Sequence, residues 1–221
     1  LPSLRKILCG GAGLAASVTR HLRAHGIEAF GCYGLTECSP CVSVNRDSWH
    51  KDGSCGVALR CNEVRVGESG EVLVRGANVM AGYLGRPELT AARIDGDGWL
   101  HTGDVGHIDK DGFLYVDGRL DDVIVLADGT MVAPEILERA LGAHPAIAQA
   151  LVYGMPDKRS GQVVLACRLV LRDGANDTAE RNAIDFARSV QTPDGARIEH
   201  VEVSCEPLPL SPAGKLLRRQ A

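Results

Sequence analysis

The pattern of apolar and polar positions changes texture twice along the chain, near Asn62 and again after Arg119. The first stretch predicts a βαβ unit. "LRKILCG" and "IEAFGC" have the apolar and aromatic character of strands, and between them "LAASVTRHLRAHG" places Leu14, Val18 and Leu22 on one helical face with Gly26 as its stop. "CVSV" alternates like a further strand. From Asn62 to Arg119 the segments shorten. "NEVRV", "GEVLVRG", "GWLHTGDVGHID" and "GFLYVDGR", the last two joined by Asp111-Gly112, predict a small antiparallel sheet or barrel. Beyond Arg119, "DDVIVLADGTMVA" reads as a hairpin turned at Asp128-Gly129, and "PEILERALGAH" as a helix with Pro134 at its first position. Two apolar strands, "AIAQALVYGM" and "GQVVLACRLVL", an amphipathic helix, "DTAERNAIDFARSV", and a last strand, "ARIEHVEV", complete an α+β module of their own. The expected fold is α/β and α+β in two parts, residues 1–120 and 121–221, with the boundary near Asp121.

Length and composition narrow the function classes. A chain of 221 residues with 45% hydrophobic content buries a real core. Its net charge of -4, with both signs interspersed, suggests neither a nucleic-acid groove nor an anionic membrane surface. There is no apolar run long enough to span a bilayer and no signal-peptide pattern, so a cytoplasmic location is expected. The opening "LPSLRKILCGG" reads as a loop entering a strand in mid-domain, and a fragment is expected. Cys38 and Cys41 form a CxxC, but Cys55 and Cys61 are too widely spaced to make the second tight pair of a structural zinc site. Reduced, mostly apolar-packed thiols are the better reading. The seven histidines are scattered, without ligand spacing.

The stretch with candidate chemistry is "YGLTECSP", residues 33 to 40, a loop at the end of a predicted strand. Tyr33 offers a flat face for a planar ring, Gly34 a backbone that a ligand approaches closely, Thr36 a hydroxyl, and Glu37 oxygen ligation for a hard cation. Those are the needs of a nucleotide with magnesium. An ordinary polar loop has the same composition, so these residues alone leave both readings open.

More of the chain decides. "GGAG" (10 to 13), "YGLTE" (33 to 37), "GEVLVRGANVMAGYLGRPELTAARIDGDGWLHTGD" (70 to 104), "GRLDDVIVLADGTMVAPEILE" (118 to 138) and "PLSPAGKLLRR" (209 to 219) together resemble the carboxyl-terminal half of the AMP-forming acyl-CoA synthetases, the adenylate-forming superfamily. The resemblance covers nearly the whole chain. It implies activation of a carboxylic acid by ATP with release of pyrophosphate, then transfer of the acyl group to coenzyme A. It further implies that residues 1–120 end a large AMP-binding domain, that 121–221 form a small mobile domain, and that an amino-terminal half is missing.

The resemblance also implies roles. Tyr33 would stack on adenine, Gly11 and Ala12 line the adenine and acyl side, Thr36 contact phosphate and Glu37 hold Mg2+. Asp104 and Arg119 would grip the ribose hydroxyls, Asp121 would be the hinge, and Lys215 the catalytic lysine presented by "SPAG". The bland alternatives are a turn cap for Asp104, a surface charge for Arg119 and an amphipathic terminal helix around Lys215. The motifs look most like fatty acyl-CoA ligases of medium to long chain preference, which would place the protein peripherally at membranes through its substrate. Three departures limit that likeness: Gly13 where proline is common, Val125 where lysine often stands, and Thr130-Met131 in place of a polar pair. The missing lysine weakens a hydroxycinnamate-type analogy. "GGAG" lacks the following GK[ST] of a Walker phosphate loop, and the family's own phosphate loop is not in this sequence. The competing readings are a truncated remnant that binds only nucleotide or a partner, and an adenylating enzyme with another acid or acceptor.

Overall fold

A computed structural model describes residues 3–157, 160–211 and 216–218. The chain separates into two compact units, Leu1–Leu120 and Asp121–Ala221.

The first unit opens with β1 (Lys6–Cys9), α1 (Ala16–Ala24) and β2 (Glu28–Tyr33), followed by the short strands β3 (Ser43–Val44) and β4 (Val57–Ala58). β1 and β2 are parallel, with Cys9 opposite Gly31, and the sheet runs in the order β1-β2-β3-β4. A parallel pair needs a crossover, and α1 supplies it. Only Thr19 of α1 is buried, whereas Val18 is 46% exposed and Leu14 precedes the helix. The apolar face predicted from Leu14, Val18 and Leu22 is therefore not a core face among the described residues.

The antiparallel sheet expected next is present as β5 (Asn62–Val66), β6 (Glu71–Gly76), β7 (Leu100–Ile108) and β8 (Leu114–Arg119), paired in chain order. Between β6 and β7 lies a helix, α2 (Pro87–Arg93), in a stretch whose sequence read as strands and glycine turns. Pro87 in its first turn, Glu88 beside it and Arg93 in its last turn are ordinary start and stop signals. Seven residues are too few for a period to announce them. Val72, Val74, Leu100 and Leu114 of this sheet pack with Cys38 and Val42 into one core.

In the second unit β9 (Ile124–Val125) and β10 (Met131–Val132) form the expected hairpin, followed by α3 (Pro134–Leu141), β11 (Ile147–Pro156), β12 (Val163–Leu171), α4 (Asp177–Ser189) and β13 (Ile198–Ser204). β12 pairs antiparallel with β11 and parallel with β13, and α4 makes the crossover. The core joins Leu137 and Leu141 of α3 to Val152, Leu165, Leu169 and Ile198 of the sheet, with Ala183 and Ala187 of α4 closing it. Asn176 caps α4 by accepting from the Ala179 amide at 2.9 Å. No helix among the described residues is long and apolar enough to cross a membrane.

Candidate active site

β2 delivers Tyr33 to the carboxyl end of the parallel pair. Because Cys9 lies opposite Gly31, Gly11 and Ala12 leave β1 at that same end. Both are exposed, and a side chain at Gly11, whose φ is +82°, would meet nothing within 4 Å. After Tyr33 the chain makes a 3₁₀ turn, Thr36–Cys38, stopped by Ser39 in the left-handed region. Cys38 is buried at the core, which pushes its thiol up to about 11 and keeps it a neutral packing group. Asn78 fixes the turn by donating to the Cys38 and Cys41 carbonyls at 2.8 Å, and the Met80 amide donates to the Glu37 carbonyl at 2.8 Å.

Gly34 has a packing reason of its own. A Cβ there would lie 1.7 Å from the Pro40 carbonyl oxygen. The close approach that demands glycine is made by the chain's own backbone, which folds the loop back on itself. That contact by itself requires glycine here, whether or not a ligand also approaches.

Asp104 and Arg119 are direct cross-strand partners on β7 and β8. Arg119 Nη1 donates to Asp104 Oδ1 at 2.6 Å, and the Tyr33 hydroxyl donates to Asp104 Oδ2 at 2.6 Å. Three residues separated by up to 86 positions in sequence (119 − 33) thereby form one hydrogen-bonded row. Burial, and then the Asp104 carboxylate, push the Tyr33 phenol far above its ordinary pKa, so it stays a neutral donor. The Arg119 side chain is 45% exposed, and an ion pair that open contributes at most about 1 kcal/mol to stability. The row is better understood as a prepared donor and acceptor surface than as a staple.

Beside it, the Tyr83 hydroxyl donates to Glu37 Oε1 at 2.7 Å. That bond first, then a backbone amide, with Arg93 and Arg119 acting over longer range, holds the Glu37 carboxyl below the usual carboxylate range. Gly103, at φ +70°, lies between the two guanidinium groups: a Cβ there would be 3.0 Å from Arg119 Nη2 and 3.3 Å from Arg93 Nη1. Glu37, Asp104, Arg93 and Arg119 therefore surround one locus. Thr36 stands exposed on the same turn. Among the described residues no group of three or more His, Cys, Asp or Glu side chains could hold a metal ion by itself. Mg2+ typically takes one or two protein carboxylates, with phosphates and waters completing its shell, and the single Glu37 carboxylate fits that manner of binding.

Tyr83, Arg93 and Glu71 are site or supporting residues that sequence reasoning did not find. Glu71 offered a signal, a carboxylate opening the apolar run "EVLV". The other two lie in "MAGYLGRPELTAAR", where only the fold brings them to Glu37.

In the second unit, Lys215 lies outside the described residues. Described residues before and after it are paired: Leu210 bridges to Leu216, and the Leu217 amide donates to the Pro209 carbonyl at 2.9 Å. Arg218 then makes two bonds to Glu138, at 2.8 and 2.6 Å, with Asp122 and Glu135 each at 3.4 Å. Asp121 is exposed in the 3₁₀ turn Leu120–Asp122, where the two units meet in sequence.

Comparison with known proteins defines the class. Residues 1–84 match the AMP-binding enzyme family and residues 137–215 the AMP-binding enzyme C-terminal domain. The chain belongs to the AMP-binding enzyme family. It is 37% identical to 4-coumarate–CoA ligase 2 of Oryza sativa subsp. japonica, covering 100% of this chain and 41% of the relative. It is 36% identical to 4-coumarate–CoA ligase 1 of Glycine max, covering 99% of this chain and 80% of the relative. Among solved structures, O-succinylbenzoate coenzyme A synthetase of Bacillus subtilis, in complex with ATP and magnesium ion, superposes with a TM-score of 0.82 at 31% identity, over 100% of this chain and 46% of that one. The mixed α/β fold is thus that of adenylate-forming enzymes. The chain spans about two fifths of the length of the Oryza relative, about four fifths of the Glycine one and under half of the solved structure.

Proposed function

We propose that this chain is the carboxyl-terminal part of an ATP-dependent acid–thiol ligase, which adenylates a carboxylic acid and passes the acyl group to coenzyme A. The observation that carries the reading is the row Tyr33–Asp104–Arg119 beside the Glu37–Tyr83 pair. A carboxylate attacking the α-phosphate of ATP brings like charges together, so the protein's contribution is positioning and charge neutralisation. A ribose diol needs an acceptor next to a donor fork, which Asp104 and Arg119 supply. Tyr33, tethered by its hydroxyl, presents its ring to adenine, with Gly11 and Ala12 at the adenine and acyl side and Thr36 toward phosphate. Glu37 is the protein's oxygen ligand for the Mg2+ that accompanies ATP, and that ion, when bound, offsets phosphate charge. Lys215 acts on the phosphate as its charge grows, and Asp121 is the pivot between the two half-reactions. The exposed apolar Leu8, at 63%, and Val18 on the β1–α1 layer support a packing partner in an amino-terminal half, where the phosphate loop and acyl tunnel would lie.

For the acid, the names of the relatives, a coumarate and a succinylbenzoate ligase, favour an aryl acid over the medium- or long-chain fatty acid that the motifs suggested. A panel of aryl and fatty acids in pyrophosphate exchange with the full-length protein decides between them. In the same assay Lys215→Ala should slow adenylation by about a hundredfold or more, the scale of one preorganised electrostatic contact. Thioester formation from supplied acyl-AMP should be nearly spared. Equal loss in both steps would overturn the role of Lys215, and absence of exchange with every acid would favour the non-catalytic remnant.

A further inference from the structure

β6 and β7 pair with a discontinuity at the site. Leu73 faces His101 and Glu71 faces Val105, so two steps along β6 span four along β7. Thr102, Gly103 and Asp104 make up the bulge. A bulge gives up ladder hydrogen bonds and re-aims side chains, and the backbone groups it releases must be satisfied in another way. Here side chains do so. Thr102 Oγ1 donates to the Val72 carbonyl at 2.6 Å, the Asp104 amide donates to Thr102 Oγ1 at 3.1 Å, and the Gly103 amide donates to Glu71 Oε1 at 2.8 Å. The other Glu71 oxygen lies 2.9 Å from His101 Nδ1. Glu71 is only 7% exposed and precedes Val72, Leu73 and Val74, all core residues. Burying a carboxylate there is costly unless its hydrogen bonds hold something in place.

We propose that Glu71 is a positioning residue for Asp104, its carboxylate fixing the bulge that aims Asp104 and Arg119 at the ribose of the nucleotide. The proposal rests on Asp104 being the ribose acceptor, as read above. Glu71 acts through Gly103, one residue from Asp104, and its own carboxylate is spent on Gly103 and His101. A leucine at position 71 would leave the Gly103 amide without its acceptor, and the bulge would relax toward another register. Asp104 would then lose its alignment with both Tyr33 and Arg119.

The test compares binding of AMP and 2′,3′-dideoxy-AMP to the full-length protein by calorimetry. The parent should prefer AMP by about tenfold or more, as one charge-assisted hydrogen bond to a hydroxyl predicts. In Glu71→Leu the preference should fall to within about threefold, dideoxy-AMP losing affinity through the freed Tyr33 ring by clearly less than AMP does. Glu71→Gln keeps an oxygen for the Gly103 amide and should retain most of the preference. If Glu71→Leu does not fold, Glu71→Asp, which keeps the charge and shortens the reach, carries the same expectation. Asp104→Asn separates the two readings. If it leaves the preference intact, Asp104 is not the ribose acceptor and the proposal falls with it. If Asp104→Asn abolishes the preference while a folded Glu71→Leu or Glu71→Asp keeps it, or loses both nucleotides equally, the positioning role is overturned.

Discussion

Replacing Arg218 by methionine tests whether the charge cluster in the second unit carries stability. The Arg218 side chain is 15% exposed and its partner Glu138 13% exposed. Burial works against the Arg218 charge, but Glu138 first, then Glu135 and Asp122, outweigh it and hold its pKa above the ordinary value. Removing the cation would leave Glu138 with the Val152 amide, 2.7 Å from Oε1, as a remaining partner, and three carboxylates facing one another. Breaking one side of a buried pair costs about 3 to 5 kcal/mol, a large part of what a domain has in total. At a urea slope of about 1.5 kcal/mol per M, the midpoint should drop by roughly 2 to 3 M. The assay has an internal control. Both tryptophans, Trp49 and Trp99, lie in Leu1–Leu120, so their fluorescence reports the first unit while far-UV circular dichroism reports both. Arg218→Met should lower a circular dichroism transition and leave the fluorescence midpoint in place. The pair Arg218→Met with Glu138→Met should recover part of the loss, because apolar residues of similar volume need no solvation. An unchanged circular dichroism midpoint for Arg218→Met would refute the energetic weight given to the cluster.

Two other outcomes are expected. Glu135 has a buried oxygen, Oε2, without a hydrogen-bond partner among the described residues, and burial raises its pKa. A raised carboxyl destabilises the fold above its folded pKa and not below its unfolded one, so Glu135→Gln should stabilise the second unit at neutral pH, with the gain vanishing as pH falls; equal gain at all pH values in denaturant melts would contradict this. Gly34→Ala drives a Cβ to 1.7 Å from the Pro40 carbonyl and should destabilise the first unit by about 3 kcal/mol or more in tryptophan-monitored unfolding, whereas Gly13→Ala, with nothing within 4 Å and an ordinary φ, should be near neutral; similar midpoints for the two would disprove the packing reason.

What the sequence determined by itself was mostly local. Strands such as "NEVRV" and "GEVLVRG" and the turns at Asp111-Gly112 and Asp128-Gly129 follow from period and glycine, and the structure has them at those places. The family resemblance carried by the motifs also implied nucleotide roles for Tyr33, Glu37, Asp104 and Arg119. Their contact was not legible. Tyr33 and Asp104 meet through the β6–β7 bulge, a register shift that no alternation pattern encodes, since "GWLHTGDVGHID" reads as one strand. Tyr83 bonds Glu37, and Arg93 acts on it at longer range, only through the tertiary fold, and nothing in the sequence shows that Glu71 is bound to Gly103. Gly34 shows the same limit from the other side. A glycine announces a close approach, and only the tertiary structure decides whether a ligand or the chain's own Pro40 carbonyl makes it. Period and propensity act over a few residues, whereas a site is assembled from hydrogen bonds between residues tens of positions apart, whose partners are fixed by register and packing.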